Sequence, residues 1–136
     1  MMMTEMRKRP LENTQLLLDN GAQVDVRDED GNTPLILAAK GARRPETIQL
    51  LIEKGAKVNA RNNDGWTPLM IAARGLGRQS IQLLIKKGAK VNVRNNDGWT
   101  PLMIAARGPG WQNIQLLIEK GAKVNARNND GWTPLM

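Results

Sequence analysis

The chain of 136 residues contains no Cys, His, Phe or Tyr, and its four Trp are its only aromatics. Without cysteine it has neither a disulfide framework nor a thiolate zinc site, and its redox compartment is left open. Without histidine it has no imidazole to bind a metal or to move protons near neutral pH. The beginning, Met1-Met2-Met3-Thr4-Glu5-Met6-Arg7-Lys8-Arg9, has no apolar core of signal-peptide length, and no later run could span a bilayer. A soluble, cytoplasmic protein is expected. Also missing are a phosphate-cradling glycine motif, a His-Glu-x-x-His, a nucleophile–base pair and an acidic loop with calcium spacing. The expectation is a protein that is not an enzyme and that carries no cofactor and no metal.

What is present is a repeat. The stretch Asn-Asn-Asp-Gly-Trp-Thr-Pro-Leu-Met occurs at 62–70, 95–103 and 128–136. A looser copy, Asp28-Glu29-Asp30-Gly31-Asn32-Thr33-Pro34-Leu35-Ile36, precedes them. Its glycines, Gly31, Gly65, Gly98 and Gly131, are 34, 33 and 33 residues apart. A period of that size marks a solenoid of small supersecondary units.

Each unit reads as two helices and a projecting turn. In the unit that begins at Asp64, Thr67 can cap free N–H groups and Pro68 fits the first helical position. The first helix is expected from Leu69 to Arg74, with Ala72 and Ala73 keeping one side slim. Gly75, like Gly41 and Gly108, is expected to end its helix in the left-handed conformation. A second helix is expected over about residues 79–87, where Ile81, Leu84 and Ile85 form an i, i+3, i+4 stripe widened by Leu83. Gly88 closes it. Val91 to Arg94 then runs extended into the turn Asn95-Asn96-Asp97-Gly98. Ahead of the first full unit, residues 13–25 match a second helix and its loop, and residues 1–9 read as a ragged polar start.

The residues Asp64-Gly65-Trp66-Thr67-Pro68-Leu69, Ala72-Ala73, Ile81, Leu83-Leu84 and Gly88-Ala89-Lys90-Val91-Asn92 resemble the ankyrin repeat family at its own spacing. The resemblance covers roughly residues 12–136. It implies an all-α, ankyrin-type helix-turn-helix solenoid with projecting β-hairpin-like loops, forming one domain over 1–136. Within it, 1–29 is an N-terminal half repeat, 30–63, 64–96 and 97–129 are repeats one to three, and 130–136 is a truncated repeat. The 34-residue TPR, of similar period, expects Trp, Leu-Gly, Tyr and Phe positions that this chain lacks.

The chain also departs from the family. The His usual after Thr-Pro-Leu is Ile36, Met70, Met103 or Met136, which replaces polar links by apolar packing. The Gly-His ending of the first helix is absent, and repeat one carries an extra residue in that loop. Lys57, Lys90 and Lys123 stand where the family has Asp. Repeats two and three differ at five positions, Leu76/Pro109, Arg78/Trp111, Ser80/Asn113, Lys86/Glu119 and Val93/Ala126.

Charge is uneven. Of the net +7, repeat two carries +5, with six basic residues against Asp64 alone. Such a surface favours acidic partners, or only keeps the protein soluble.

The resemblance implies binding of another protein on a concave surface made by hairpins and first helices. It places contact positions at Arg61, Asn63, Asp64, Trp66 and Arg74, then at Arg94, Asn96, Asp97, Trp99 and Arg107. Arg127, Asn129, Asp130 and Trp132 follow, and Arg27, Glu29, Asp30, Asn32 and Lys40 begin the row. Trp and Arg anchor interfaces more often than other side chains. A Trp–Arg ladder could equally join repeat to repeat through indole area. The Asn-Asn-Asp side chains can bond the turn backbone. Trp111, alone on its loop, is either a lid on helix ends or a partner anchor.

Three further readings are open. An engineered or consensus-like scaffold would explain the near-identity of repeats two and three. Nucleic-acid binding has the charge in its favour but no recognised motif beside it. The ends, a half repeat and a truncated one, suit a fragment of a longer array. They also suit head-to-tail self-association, in which residues 130–136 of one copy cover residues 12–18 of the next.

Overall fold

The Thr-Pro pairs start the first helices. Thr67 accepts from the Met70 N–H at 3.4 Å and Thr100 from the Met103 N–H at 3.3 Å, with the prolines at the first helical turn. The computed structural model describes residues 2–41, 45–75 and 77–136, less the side chains of 2–10 and 41. Leu76 and the loop residues Ala42, Arg43 and Arg44, where repeat one carries its extra residue, lie outside the described residues.

Among the described residues seven α-helices follow in order: α1 (Met2–Asp19), α2 (Pro34–Gly41), α3 (Pro45–Glu53), α4 (Pro68–Arg74), α5 (Arg78–Lys86), α6 (Pro101–Arg107) and α7 (Ile114–Glu119). A 3-10 turn, Pro109–Asn113, sits between the last two. Helices α2, α4 and α6 pack side by side as one layer, and α1, α3 and α5 form the other. Within a unit, α2 pairs with α3, α4 with α5 and α6 with α7. No strand forms among the described residues, so the turns are hairpin-like without a sheet.

The core lies between the layers. Leu35, Ile36, Leu69 and Leu102 from the first helices cluster with Ile48, Ile81, Leu84, Leu116 and Leu117 from the second, all nearly inaccessible to water, and Met70 and Met103 are buried as well. Burying each such side chain contributes about 1.5–3 kcal/mol. Ala39, Ala72, Ala73 and Ala105 are buried too, and their small size lets neighbouring first helices approach. Helices of seven residues would not persist alone, so this packing holds them.

Three local expectations change. The polar start is not ragged: α1 runs from Met2, because Met, Glu, Arg and Lys favour helix and one internal Pro10 does not end it. Gly75 and Gly108 are not left-handed but extended, at φ −113° and −124°. The chain leaves each first helix by straightening rather than curling back, and Gly41 is still helical. Left-handed glycines instead close the second helices. There Gly88 has φ 103°, and the Ala89 N–H reaches back to the Leu84 carbonyl at 2.9 Å. The third change is in repeat three, where Pro109 and Asn113 replace Leu76 and Ser80. The residues aligned with the start of α5 become the 3-10 turn, and α7 begins at Ile114.

Two seams of hydrogen bonds stitch the units. At one edge, Asn59 donates to the Gly88 carbonyl at 3.0 Å and accepts from the Lys90 N–H at 2.9 Å, and Asn92 repeats this with Gly121 and Lys123. The other seam runs along the hairpin tips.

Candidate functional site

The hairpin begins with an asparagine turned inward. Asn95 is buried and its Oδ1 accepts from the Asp97 and Trp99 N–H groups, both at 2.9 Å. Asn62 and Asn128 do the same for their turns. Asp28 is the counterpart at the first turn, where it accepts from the N–H groups of Asn32 and Asp30. The bond from the Asn32 backbone, first among several, holds the Asp28 carboxyl below its ordinary value.

The next asparagine ties hairpin to hairpin. Asn96 donates its backbone N–H to the Asp64 carbonyl and its side-chain amide to the Asn63 carbonyl, each at 3.0 Å. Asn63 makes the same pair with Asp30 and Glu29, and Asn129 with Asp97 and Asn96. Beneath this seam Gly65 and Gly98 adopt φ 82°, and a Cβ on either would fall 2.8 Å from the next asparagine's backbone nitrogen. The arginines before the turns belong to the same network. Arg27 donates to the carbonyls of Gly31 and Arg61, Arg94 donates to the Arg127 carbonyl, and the Arg61 guanidinium lies against Gly65.

The sequence-derived positions thus separate into two groups. Arg61, Asn63, Arg94 and Asn96 hold hairpins together, while the exposed Asp64 and Asp97 offer their backbone carbonyls to the next repeat. Trp66, Arg74, Trp99 and Arg107 form the other group. Arg74 lies over the Trp66 ring at 5.9 Å, and Arg107 lies 5.2 Å from the centre of Trp99 and 4.6 Å from that of Trp132. Trp66 and Trp99 are half-buried, and Trp66 packs one side on the core. These cation–π contacts leave the guanidinium N–H groups of Arg74 and Arg107 without a hydrogen bond among the described residues.

These four side chains line one open cavity of about 480 Å³, together with Asn95, Asp97, Ile104, Gly108 and Pro109. A second, of about 430 Å³, is lined by Lys40, Ile71, Arg74, Gly75 and Pro109. Arg74 and Pro109 belong to both, so the groove continues from repeat three to repeat one. Trp111 is not part of it. It is 64% exposed on the 3-10 turn, which does not fit a lid on helix ends. Pro109, one of the five differences between repeats two and three, lines both hollows but is not among the contact positions that the resemblance implies.

Two layers of short helices carrying a ledge of hairpins, with Trp and Arg at one-repeat intervals, define a helical repeat solenoid of the interaction type. A family model described as ankyrin repeats in three copies matches residues 1–95 and 77–136. The chain belongs to the ankyrin repeat family, whose members mediate protein–protein interaction and are typically not enzymes. A search of curated proteins returns no match. No described helix is long and apolar enough to cross a membrane.

Proposed function

We propose that the chain is a non-enzymatic scaffold that binds a protein partner on the ledge of hairpins and first helices. Trp66, Arg74, Trp99 and Arg107 are the anchors. Arg61, Asn63, Asp64, Arg94, Asn96 and Asp97 frame them and keep the hairpins in register. Trp111 makes a separate contact beyond the groove. The observation that supports this reading is the alternation itself: Arg107 stands between two indoles with its N–H groups unused among the described residues. Exposed arginines set against half-buried tryptophans in one open hollow have the residue make-up of an interface hot spot.

Capture of partners by the purified chain, repeated with Trp99→Ala plus Arg107→Ala, tests it. The double variant should lose affinity by about 30-fold or more, since anchors of this kind carry ~2 kcal/mol or more each. Its melting transition should stay in place. Weaker folding with binding intact would instead make the ladder a joint between repeats.

A second reading, contact between copies through residues 130–136, has exposed apolar side chains in its favour. Leu135 is 95% exposed beside a hollow lined by Leu102, Ile114, Ile118 and Val124, and Leu16 and Leu17 are exposed on α1. Sedimentation that shows a monomer at high micromolar protein would remove it.

A further inference from the structure

The ledge leaves one recurring departure from the family unused: Lys57, Lys90 and Lys123, where the family has Asp. They close the blocks Glu53-Lys54-Gly55-Ala56-Lys57, Lys86-Lys87-Gly88-Ala89-Lys90 and Glu119-Lys120-Gly121-Ala122-Lys123, which end the second helices. Every lysine in them is exposed. The blocks carry +1, +3 and +1, whereas the matching stretch at the end of α1, Asp19 to Gln23, carries −1. The maximum comes from Lys86, which stands where each of the other blocks has an acid.

The fold holds these lysines along one edge. Lys87 and Lys120 follow the last residues of their helices, where a cation offsets the negative helix end. Helix ends do not account for Lys57, Lys90 and Lys123, which lie beyond them. Their backbone N–H groups are fixed by the preceding repeat, Lys57 to Asp25 at 3.2 Å, Lys90 to Asn59 and Lys123 to Asn92 at 2.9 Å each. The seam therefore places one such lysine in every repeat. Acids answer them only at the first junction, where Asp19 pairs with Lys54 at 3.0 Å and Asp25 takes the Lys57 backbone. At the next two, asparagine replaces that aspartate. Among residues with described side chains, Lys86, Lys87, Lys90, Lys120 and Lys123 have no ion pair. Glu119, the one acid in their blocks, accepts from Gln115.

What the edge omits narrows its partner. The blocks contain no aromatic residue on which the bases of a single strand would stack. Ala56, Ala89 and Ala122 are buried, and Val58 and Val91 pack on the core. Val124 is the exposed exception. The edge thus has little of the apolar contact that adds to charge in binding a bilayer. Protein surfaces intersperse both signs of charge, whereas duplex DNA carries one phosphate charge per ~1.7 Å of its axis. Packed helices stand ~8–10 Å apart, so the three blocks span roughly 20 Å and a duplex offers about twelve phosphates over that length. A lysine meets phosphate as a point charge and reads no sequence from it.

We propose that the lysine edge binds the phosphate backbone of duplex nucleic acid without regard to sequence. It shares no residue with the ledge, which stays free for a protein partner.

The test titrates labelled duplex DNA of mixed sequence with the full chain, by fluorescence anisotropy between ~50 and ~200 mM salt. Log affinity should fall with log salt at a slope of about −4, since each neutralised phosphate contributes ~0.9 and the unpaired lysines are Lys86, Lys87, Lys90, Lys120 and Lys123. Two triple variants then remove equal charge from different faces. Lys86→Gln, Lys90→Gln and Lys123→Gln together should weaken binding at ~50 mM salt about tenfold or more and flatten the slope by ~2.7. Lys40→Gln, Arg74→Gln and Arg107→Gln together should leave both nearly unchanged. Lys→Arg at the three edge positions should preserve affinity, because charge alone is used. Circular dichroism confirms that each variant keeps its helices.

No duplex binding at ~50 mM salt overturns the proposal. Equal losses in the two triple variants also overturn it, because net charge and not the edge would then be responsible. So does oligo-dT binding tighter than the duplex, or phosphatidylserine vesicles retaining the chain at a salt concentration that releases the duplex. A preference among duplex sequences of about tenfold or more rejects backbone recognition.

Discussion

Asn95 carries two loads at once, since one buried oxygen satisfies two backbone N–H groups at the base of a hairpin. Asn95→Ala leaves both without their acceptor and should lower stability by about 1–3 kcal/mol, measured by urea denaturation. Asn95→Asp should be far milder, because Asp28 performs the same task in the first turn. That aspartate makes stability depend on pH. Its carboxyl, held by the Asn32 backbone N–H, and that of Asp19, held by Lys54, both titrate below the ordinary value. A lowered folded-state value means the unfolded chain takes up protons first. The stabilisation is therefore complete above about pH 4, the unfolded range for Asp, and is lost as acid carries the pH down through the folded values. Thermal melts between pH 7 and pH 3 should show Asp28→Asn losing less stability in acid than the parent chain. Both groups are exposed, so a difference that vanishes in high salt is also expected.

Among the helices, what the sequence announced and what it concealed divide along a physical line. Features set by a residue's own backbone or by apolar periodicity were legible: the Thr-Pro starts, the Ile81–Leu84 face and the glycines that end second helices. Features set by a neighbouring repeat were not. Nothing in the spacing says that Asn63 and Asn96 face sideways while Trp66 and Trp99 line a hollow, because that depends on which unit lies beside them. Gly75 and Gly108 looked decisive and are conformationally ordinary. Gly110 looked incidental, yet a Cβ there would come within 1.9 Å of the Ala73 carbonyl oxygen. Gly110→Ala must push the 3-10 turn away from α4 and should cost about 1–3 kcal/mol, with helix content otherwise kept. Gly75→Ala, which meets nothing within 4 Å, should be close to neutral in the same denaturation series. Met70→Ala empties a fully buried site and should cost about 2–5 kcal/mol.

At the scale of the molecule, the stack behaves as a row of similar joints: hairpin seam, apolar layer and lower seam recur between each pair of described repeats. Stability in such an array is close to a sum over units and junctions. A substitution in one repeat should therefore shift the unfolding of its neighbours more than that of units two steps away, which hydrogen exchange resolved by repeat would show. The close contact of Gly110 with Ala73 bears on the history of the chain. Repeat two has Gly77 at the matching place, and repeat three ends its first helix with the same Ala-Ala-Arg, at Ala105, Ala106 and Arg107. Gly77, however, stands directly before α5, whereas Gly110 lies inside the 3-10 turn that Pro109 and Asn113 set in repeat three. A copy of repeat two stacked behind Ala105, Ala106 and Arg107 would therefore meet them with a different loop, so lengthening this array by whole units reuses the apolar layer and the hairpin seam but not this close contact.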